Sequence, residues 1–296
     1  MKKQLFTKQI AQLSLNNPAY RNFTKSLLEL FFQSDLSTGD ITTQLLTRPR
    51  QKIEAKIIAK QNCILAGLDE IEFFLRQNKI KTLTRKTDGS YLHTGETAAK
   101  ISGSATAILT TERTTLNLIQ RMSGIATTSN HLAKKIGVRK FAATRKTPLG
   151  LFDSRAVCLG GGLPHRLNLA DQILIKNNHL SIEPKVWEKI HRDSSSTKTS
   201  FFEIEASSEK LACTLAKFFS KNKNFILLLD NFTPAKLKKI IPYLRKICPQ
   251  IIIEASGNIT TQNAVNFLNS GASFVSLGEL THSTPAIDFS LKISDN

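Results

Sequence analysis

FILLLDNFTPAKLKKIIPYLRKICPQIIIEASGN, residues 225–258, holds two near-continuous apolar runs, FILLL and IIIEA, with one stretch of helical spacing between them. A strand that faces water on one side alternates apolar and polar residues. These runs do not alternate, so each is expected to be buried on both faces, as in a parallel sheet covered by helices. The same unit recurs along the chain. RKFAA (139–143), DQILI (171–175), SFFEI (200–204), FILLL (225–229), QIIIEA (250–255) and SFVSL (273–277) read as strands. SIEPKVWEKIH, SSEKLACTLAKFF, PAKLKKIIPYLRK and TTQNAVNFLNSG read as the helices between them. Such a series builds either a closed α/β barrel or an open doubly wound sheet. DSSSTKTS (193–200) is the most loop-like run.

The residues that follow these strands carry the chemistry. Arg145 and Lys146 follow the first, Lys176 the second, Glu205 the third and Asp230 the fourth. Ser256 and Gly257 follow the fifth, and Gly278 the last. In parallel α/β folds the carboxyl ends of the strands are where ligands bind. Three cations beside two carboxylates suit an anionic substrate with a divalent metal.

The first part of the chain, to about residue 110, reads differently. Amphipathic helices over roughly 5–32 precede β-rich stretches, IEAKIIAK (53–60) and AAKISGSATAIL (98–109). This mixture predicts an α+β domain. With 296 residues, 41% of them hydrophobic, the chain is long enough for one large or two medium domains with a sizeable core.

Composition narrows the classes. The N-terminal MKKQLFTKQIAQLSLNN lacks the apolar region of a signal peptide, and the longest apolar runs are too short to span a bilayer. Cys63, Cys158, Cys213 and Cys248 are scattered with no CxxC spacing, which predicts reduced thiols in a cytoplasmic compartment. The net charge of +18 is the unusual quantity. A polyanion such as nucleic acid could answer it, but no nucleic-acid-binding motif accompanies the charge. A solvated helix face is the plainer reading of a run such as AKLKKIIPYLRK (235–246).

GGGLPHRLNLADQILIKNNH, residues 160–179, poses its own question. Three glycines suggest a phosphate cradle, yet they lack the helix and lysine placement of a P-loop. They are better read as a tight turn that places His165 and Arg166, with Lys176 arriving from the next strand.

Taken together, DLSTGDITT (35–43), TTERTTLNLIQRMSGIAT (110–127), ATRKT (143–147), the GGG stretch, EIEAS (203–207), LLLDNFTP (227–234), EASGNIT (254–260) and SLGELTHSTPAIDFSLKI (276–293) resemble quinolinate phosphoribosyltransferase. This family is also called nicotinate-nucleotide pyrophosphorylase, and the resemblance covers nearly the whole chain. It implies the type II phosphoribosyltransferase fold, an N-terminal α/β sandwich domain followed by a C-terminal open α/β barrel of parallel strands. The expected domains are 1–115 with 283–296, and 116–282, the last segment returning to the first domain.

The implied reaction joins quinolinate to phosphoribosyl pyrophosphate. It yields nicotinate mononucleotide, pyrophosphate and CO2, a step in NAD biosynthesis. By resemblance, Arg113, Thr144, Arg145, Lys146, His165, Arg166 and Lys176 bind quinolinate, Arg113 reaching in from a neighbouring subunit of a homodimer or dimer-based oligomer. Lys146, Glu205 and Asp230 take the catalytic positions. Glu205 and Asp230 would also meet the ribose and a Mg2+ ion, directly or through water. Ser256, Gly257, Asn258, Ser276, Leu277 and Gly278 would hold phosphoribosyl pyrophosphate. The sequence departs from the family pattern in a PLGLFDSRAV segment about two residues short, in Asn177 where aspartate is usual, and in Asn258 where glycine is common. Two alternatives stand beside this reading. One is the molybdenum-transport-associated paralogue, which shares the GGG-xPHR element. The other is a nucleic-acid-binding protein that has kept an inactive barrel.

Overall fold

The computed structural model describes residues 6–46, 51–193 and 201–294. Most of the loop-like run 193–200 lies outside them. The strands, numbered in chain order, are β1 Lys52–Ala59, β2 Cys63–Ile64, β3 Lys81–Arg85, β4 Tyr91–Leu92, β5 Thr97–Ser104, β6 Phe141–Ala142, β7 Ile173–Ile175, β8 Phe202–Ala206, β9 Phe225–Asp230, β10 Ile252–Ser256, β11 Phe274–Ser276 and β12 Phe289–Ile293. The chain divides into two compact units. The first comprises Met1–His131, Thr147–Gly161 and Ser283–Asn296; the second comprises Leu132–Lys146 and Gly162–His282.

The first unit contains a four-stranded antiparallel sheet in the order β12-β1-β5-β3. Ala55, Ile57 and Ala59 alternate along β1 and are fully buried, so this strand turns one face to the core. Around them pack Leu65, Leu68, Leu92, Leu116, Ile119 and Phe289. The C-terminal β12 pairs along β1, with Ala59 opposite Phe289.

One expected β stretch is split. AAKISGSATAIL is strand only as far as Ser104, and a helix then runs from Ala105 to Ile136. Ser104 explains the switch, because its Oγ accepts the Ala107 backbone N–H and caps the helix. This helix also passes unbroken through the expected domain boundary at 115/116.

The second unit contains six parallel strands in the order β6-β11-β10-β9-β8-β7. From β7 to β11 each strand lies beside its successor, and such right-handed crossovers put all the helices on one face. The first strand, β6, then pairs with the last, β11. A doubly wound sheet would begin in its middle. This order instead belongs to a sheet that curls on itself, an open barrel, and it resolves the choice the sequence left. Burial agrees: Phe225–Leu229 are buried on both faces of β9. The helix Glu209–Phe218 seats Ala212, Leu215 and Ala216, and Pro234–Ile247 seats Leu237, Ile240, Ile241 and Leu244. Each of these leucines and isoleucines contributes about 1.5–3 kcal/mol on burial. Thr233 caps the second helix at the Lys236 N–H and Pro234 occupies its first turn. Lys236, Lys238, Lys239 and Lys246 are exposed, as a solvated face requires.

Register fixes which residues face the barrel interior. Leu174, Glu203 and Ile226 are paired neighbours, as are Glu205, Leu228 and Glu254, and then Asp230 with Ser256. Period-two alternation therefore sets Glu203, Glu205, Asp230, Glu254 and Ser256 on the same face. Glu205, Asp230 and Ser256 stand at its carboxyl end.

Candidate active site

The carboxyl ends of the parallel strands gather the second-unit residues expected from sequence. Arg145 and Lys146 follow β6 and are exposed; Lys176 follows β7 and is exposed too. Among the described residues, none of the three has a carboxylate within ion-pair distance. Arg166 is buried at 9% exposure, and its Nη1 donates to the Gln172 carbonyl at 3.4 Å. Burial and the neighbouring Arg145 guanidinium hold the Arg166 pKa below its ordinary value. Two neighbouring guanidiniums with exposed lysines alongside have the chemistry to receive an anion.

Beside this cationic group lie two carboxylates. Glu205 is the penultimate residue of β8, half-buried, and accepts the backbone N–H of Asn177. Desolvation raises its pKa first, then the charge of Asp230. Asp230 ends β9, and burial lifts its pKa while Asn231, Lys146 and Lys176 oppose the lift. Asn231 Nδ2 donates to Asp230 Oδ2 at 2.8 Å. Hard oxygen donors near cations suit a magnesium ion that takes its other ligands from water and phosphate. Two carboxylates make no cage by themselves.

The loops after β9 and β10 interlock. Asn231 donates its backbone N–H to the Ser256 carbonyl, and its Oδ1 accepts from Asn258 Nδ2 at 3.2 Å. Gly257 holds φ 93°, a backbone conformation that favours glycine. Asn258 follows at φ 53°, the left-handed conformation that asparagine tolerates. Ser276 and Leu277 are buried, and Gly278 leads into the short helix Glu279–His282. The Ser276 hydroxyl turns inward and donates to Glu254 Oε1, so only its backbone is offered at the strand end. Thr144 is half-buried just before Arg145.

Two expected placements differ from the rest. Arg113 belongs to the first unit, where it is exposed on the helix Ala105–Ile136 and lines a cavity of about 400 Å³ with Phe31, Asp35, Asn117 and Leu149. His165 does not stand open at the strand ends. Its ring is buried in the barrel interior with Nε2 3.3 Å from Glu203 Oε2 and 3.5 Å from Glu254 Oε2, and its Nδ1 accepts the Arg166 N–H at 2.9 Å. Burial disfavours a charged ring, but the two carboxylates outweigh it and push the pKa up to about 10. The Arg166 amide at Nδ1 opposes the second proton of the charged ring, and in either form Nε2 is the donor that faces the two carboxylates.

The glycine stretch also separates into parts. Gly160 ends the helix Leu151–Leu159, and a Cβ there would fall 2.4 Å from the Ala126 carbonyl and from Ser129 Cβ. Close packing against another helix excludes a side chain. Gly161, at φ 100°, makes the turn.

Sequence reasoning missed Glu203 and Glu254. Each is a carboxylate within an otherwise apolar, doubly buried strand, at 0% and 1% exposure. That placement was the available signal, because such a residue requires a partner.

Comparison with known proteins places this architecture. Residues 40–123 match the family model for the quinolinate phosphoribosyl transferase N-terminal domain, and residues 125–292 match the model for its C-terminal domain. A probable nicotinate-nucleotide pyrophosphorylase (carboxylating) of Bacillus subtilis is 36% identical over 279 residues, covering 91% of this chain and 93% of the relative. One from Archaeoglobus fulgidus is 34% identical, covering 86% and 98%. The solved nicotinate-nucleotide pyrophosphorylase of Francisella tularensis superposes with a TM-score of 0.80 at 29% identity, covering 92% of this chain and 96% of that one.

Proposed function

The chain belongs to the quinolinate phosphoribosyltransferase family, and from that membership we infer that it transfers the phosphoribosyl group of phosphoribosyl pyrophosphate to quinolinate. The products are nicotinate mononucleotide, pyrophosphate and CO2, as the activity of its named relatives requires. The observation in this chain that carries the reading is the pair Arg145 and Arg166. Burial and the nearby Arg145 lower the pKa of Arg166, and no protein carboxylate lies within ion-pair distance of either guanidinium among the described residues. A dicarboxylate fits that gap.

Arg145, Arg166 and Lys176 hold the two quinolinate carboxylates, with Thr144 and Lys146 alongside. The ring nitrogen attacks the anomeric carbon of the ribose while the bond to pyrophosphate breaks. Positive charge develops on the sugar, and Glu205 and Asp230 stabilise it through the ribose hydroxyls. The same two carboxylates would hold a magnesium ion, whose chemistry is to neutralise the departing pyrophosphate. The backbones of Ser256–Asn258 and Ser276–Gly278 hold the 5′-phosphate. Once the ring nitrogen is cationic, the adjacent carboxylate leaves as CO2. The electron pair stays on the ring carbon, beside the positive nitrogen, until that carbon takes a proton.

In this reading Arg113 serves the site of a partner subunit in a homodimer, and the protein works in the cytoplasm. Its four free cysteines suit that compartment. No helix of the described residues is long and apolar enough to cross a membrane.

The purified chain with quinolinate, phosphoribosyl pyrophosphate and magnesium should form nicotinate mononucleotide and CO2 in equal amounts. Absence of both under every divalent metal tried would refute the activity.

A further inference from the structure

Glu203 and Glu254 break the apolar pattern of β8 and β10, and both are almost completely buried. An ionised carboxylate in such a place is costly unless charges and hydrogen bonds meet it. Their contacts are specific. Ser276 donates to Glu254 Oε1. His165 Nε2 lies between Glu203 and Glu254. Gln172, itself 3% exposed, donates through Nε2 to Glu203 Oε2 at 3.4 Å.

These contacts close a ring. The Gln172 carbonyl accepts from Arg166 Nη1, and the Arg166 backbone N–H donates to His165 Nδ1. From His165 and from Gln172 the path leads back to the same Glu203 oxygen. Arg166 is thus held at its backbone and at its guanidinium, and both holds end on one buried carboxylate. His165 keeps φ 58°, a strained conformation for a residue with a side chain, which persists where the surroundings over-determine it. Glu203 Oε1 and Glu254 Oε2 accept no other described donor. The ligand atoms of the three groups lie within 4.8 Å of one another, close enough for the carboxyls to share a proton.

We propose that Glu203 and Glu254 are positioning residues for the quinolinate site: from the barrel interior they hold His165 and, through His165 and Gln172, fix the guanidinium of Arg166. The inference rests on the assignment of Arg166 to quinolinate made above. A guanidinium can take a carboxylate by two parallel hydrogen bonds only if its plane is set in advance. The ring of bonds engages the guanidinium at Nη1 alone, and its other N–H groups have no protein acceptor among the described residues.

Glu203→Gln and Glu254→Gln test it, since each keeps the shape and removes the ionisable carboxyl. Calorimetry with quinolinate alone, and KM for each substrate, are the readouts. The expected result is a quinolinate Kd weakened by about 10- to 100-fold, the range seen when outer partners of a ligating group are lost. The KM for phosphoribosyl pyrophosphate should be unchanged. Unaltered quinolinate affinity in both folded variants would overturn the proposal. So would equal loss for both substrates, which marks a merely structural role. Should either variant not fold, the wild-type protein answers by side-chain nitrogen NMR of His165. A ring that keeps its Nε2 proton and does not titrate over about pH 6–8 is expected; an ordinary midpoint near 6.5 would overturn it. A divalent metal whose addition and removal shift the His165 ring nitrogens would also overturn it, because the three groups would then be its ligands. If the wild-type chain makes no nicotinate mononucleotide, the functional reading fails. If it turns over while the glutamine variants bind quinolinate normally, only the positioning role fails.

Discussion

Asn231 occupies the space that a side chain at Gly257 would need: a Cβ added to Gly257 would lie 2.2 Å from Asn231 Oδ1 and 2.9 Å from its backbone nitrogen. The loop after β10 therefore closes over the loop after β9 only because residue 257 is glycine. Gly257→Ala combines this clash with a strained backbone at φ 93°. It should destabilise the loop by about 1–3 kcal/mol. The KM for phosphoribosyl pyrophosphate should rise at least tenfold while quinolinate affinity holds. Steady-state kinetics with each substrate varied in turn will check the split.

Arg145→Ala removes one arm of the anion receptor and leaves Glu205 and Asp230 in place. Loss of a charge-assisted, bidentate contact is worth roughly 1.5–3 kcal/mol, or about 10- to 150-fold in quinolinate Kd. The affinity for phosphoribosyl pyrophosphate should change far less. Equal loss of both would show that the partition of the strand ends is wrong.

Arg113 supplies a sharper test of sharing between subunits. Arg113→Ala and Lys176→Ala should each be inactive. Mixed and allowed to exchange subunits, they should regain part of the wild-type rate, because one combined site is then intact. Mass spectrometry of the mixture confirms exchange. A mixture that exchanges and remains inactive would place Arg113 outside the site.

Glu70 gives a pH prediction remote from catalysis. Its carboxylate is buried, accepts from Tyr20 Oη at 2.8 Å and meets Arg155 Nε at 2.9 Å. Burial pushes its pKa up to about 7, against the opposing pull of Arg155. Below the ordinary carboxylate range both folded and unfolded chains hold the proton. As pH rises toward 7 the unfolded chain releases it first, so this group lowers stability over that interval by on the order of 3 kcal/mol. Glu70→Gln keeps the Oε1 acceptor and cannot ionise. Its Tm should exceed that of the wild type near neutral pH, and the gap should vanish near pH 4. A constant gap at all pH values would exclude ionisation as the cause.

Much of this molecule was legible in the sequence because parallel strands announce themselves. FILLL and IIIEA cannot be half-exposed, and the charged residue after each strand falls at the carboxyl edge by geometry alone. Arg145, Lys146, Lys176, Glu205 and Asp230 lie at that edge for this reason. The sequence left the barrel and the doubly wound sheet undivided, since strand order depends on long-range pairing such as β6 with β11. Ser104 hid a helix start inside a strand-like run, because one residue serves both elements. His165 was placed at the substrate surface by its motif, whereas the ring enters the interior. What turned it was a pair of glutamates 38 and 89 residues further along the chain, and no local pattern reports such a meeting.

The pairing of β12 with β1 has a consequence for synthesis. The first unit is complete only when a strand made after the entire barrel reaches a strand near residue 52. On the ribosome β1 must therefore wait with an open edge while more than half of the chain emerges, and an open edge invites pairing with other chains. Translation that stops between the barrel and Phe289 should yield a product prone to aggregate, even with every strand-end residue of the barrel already made.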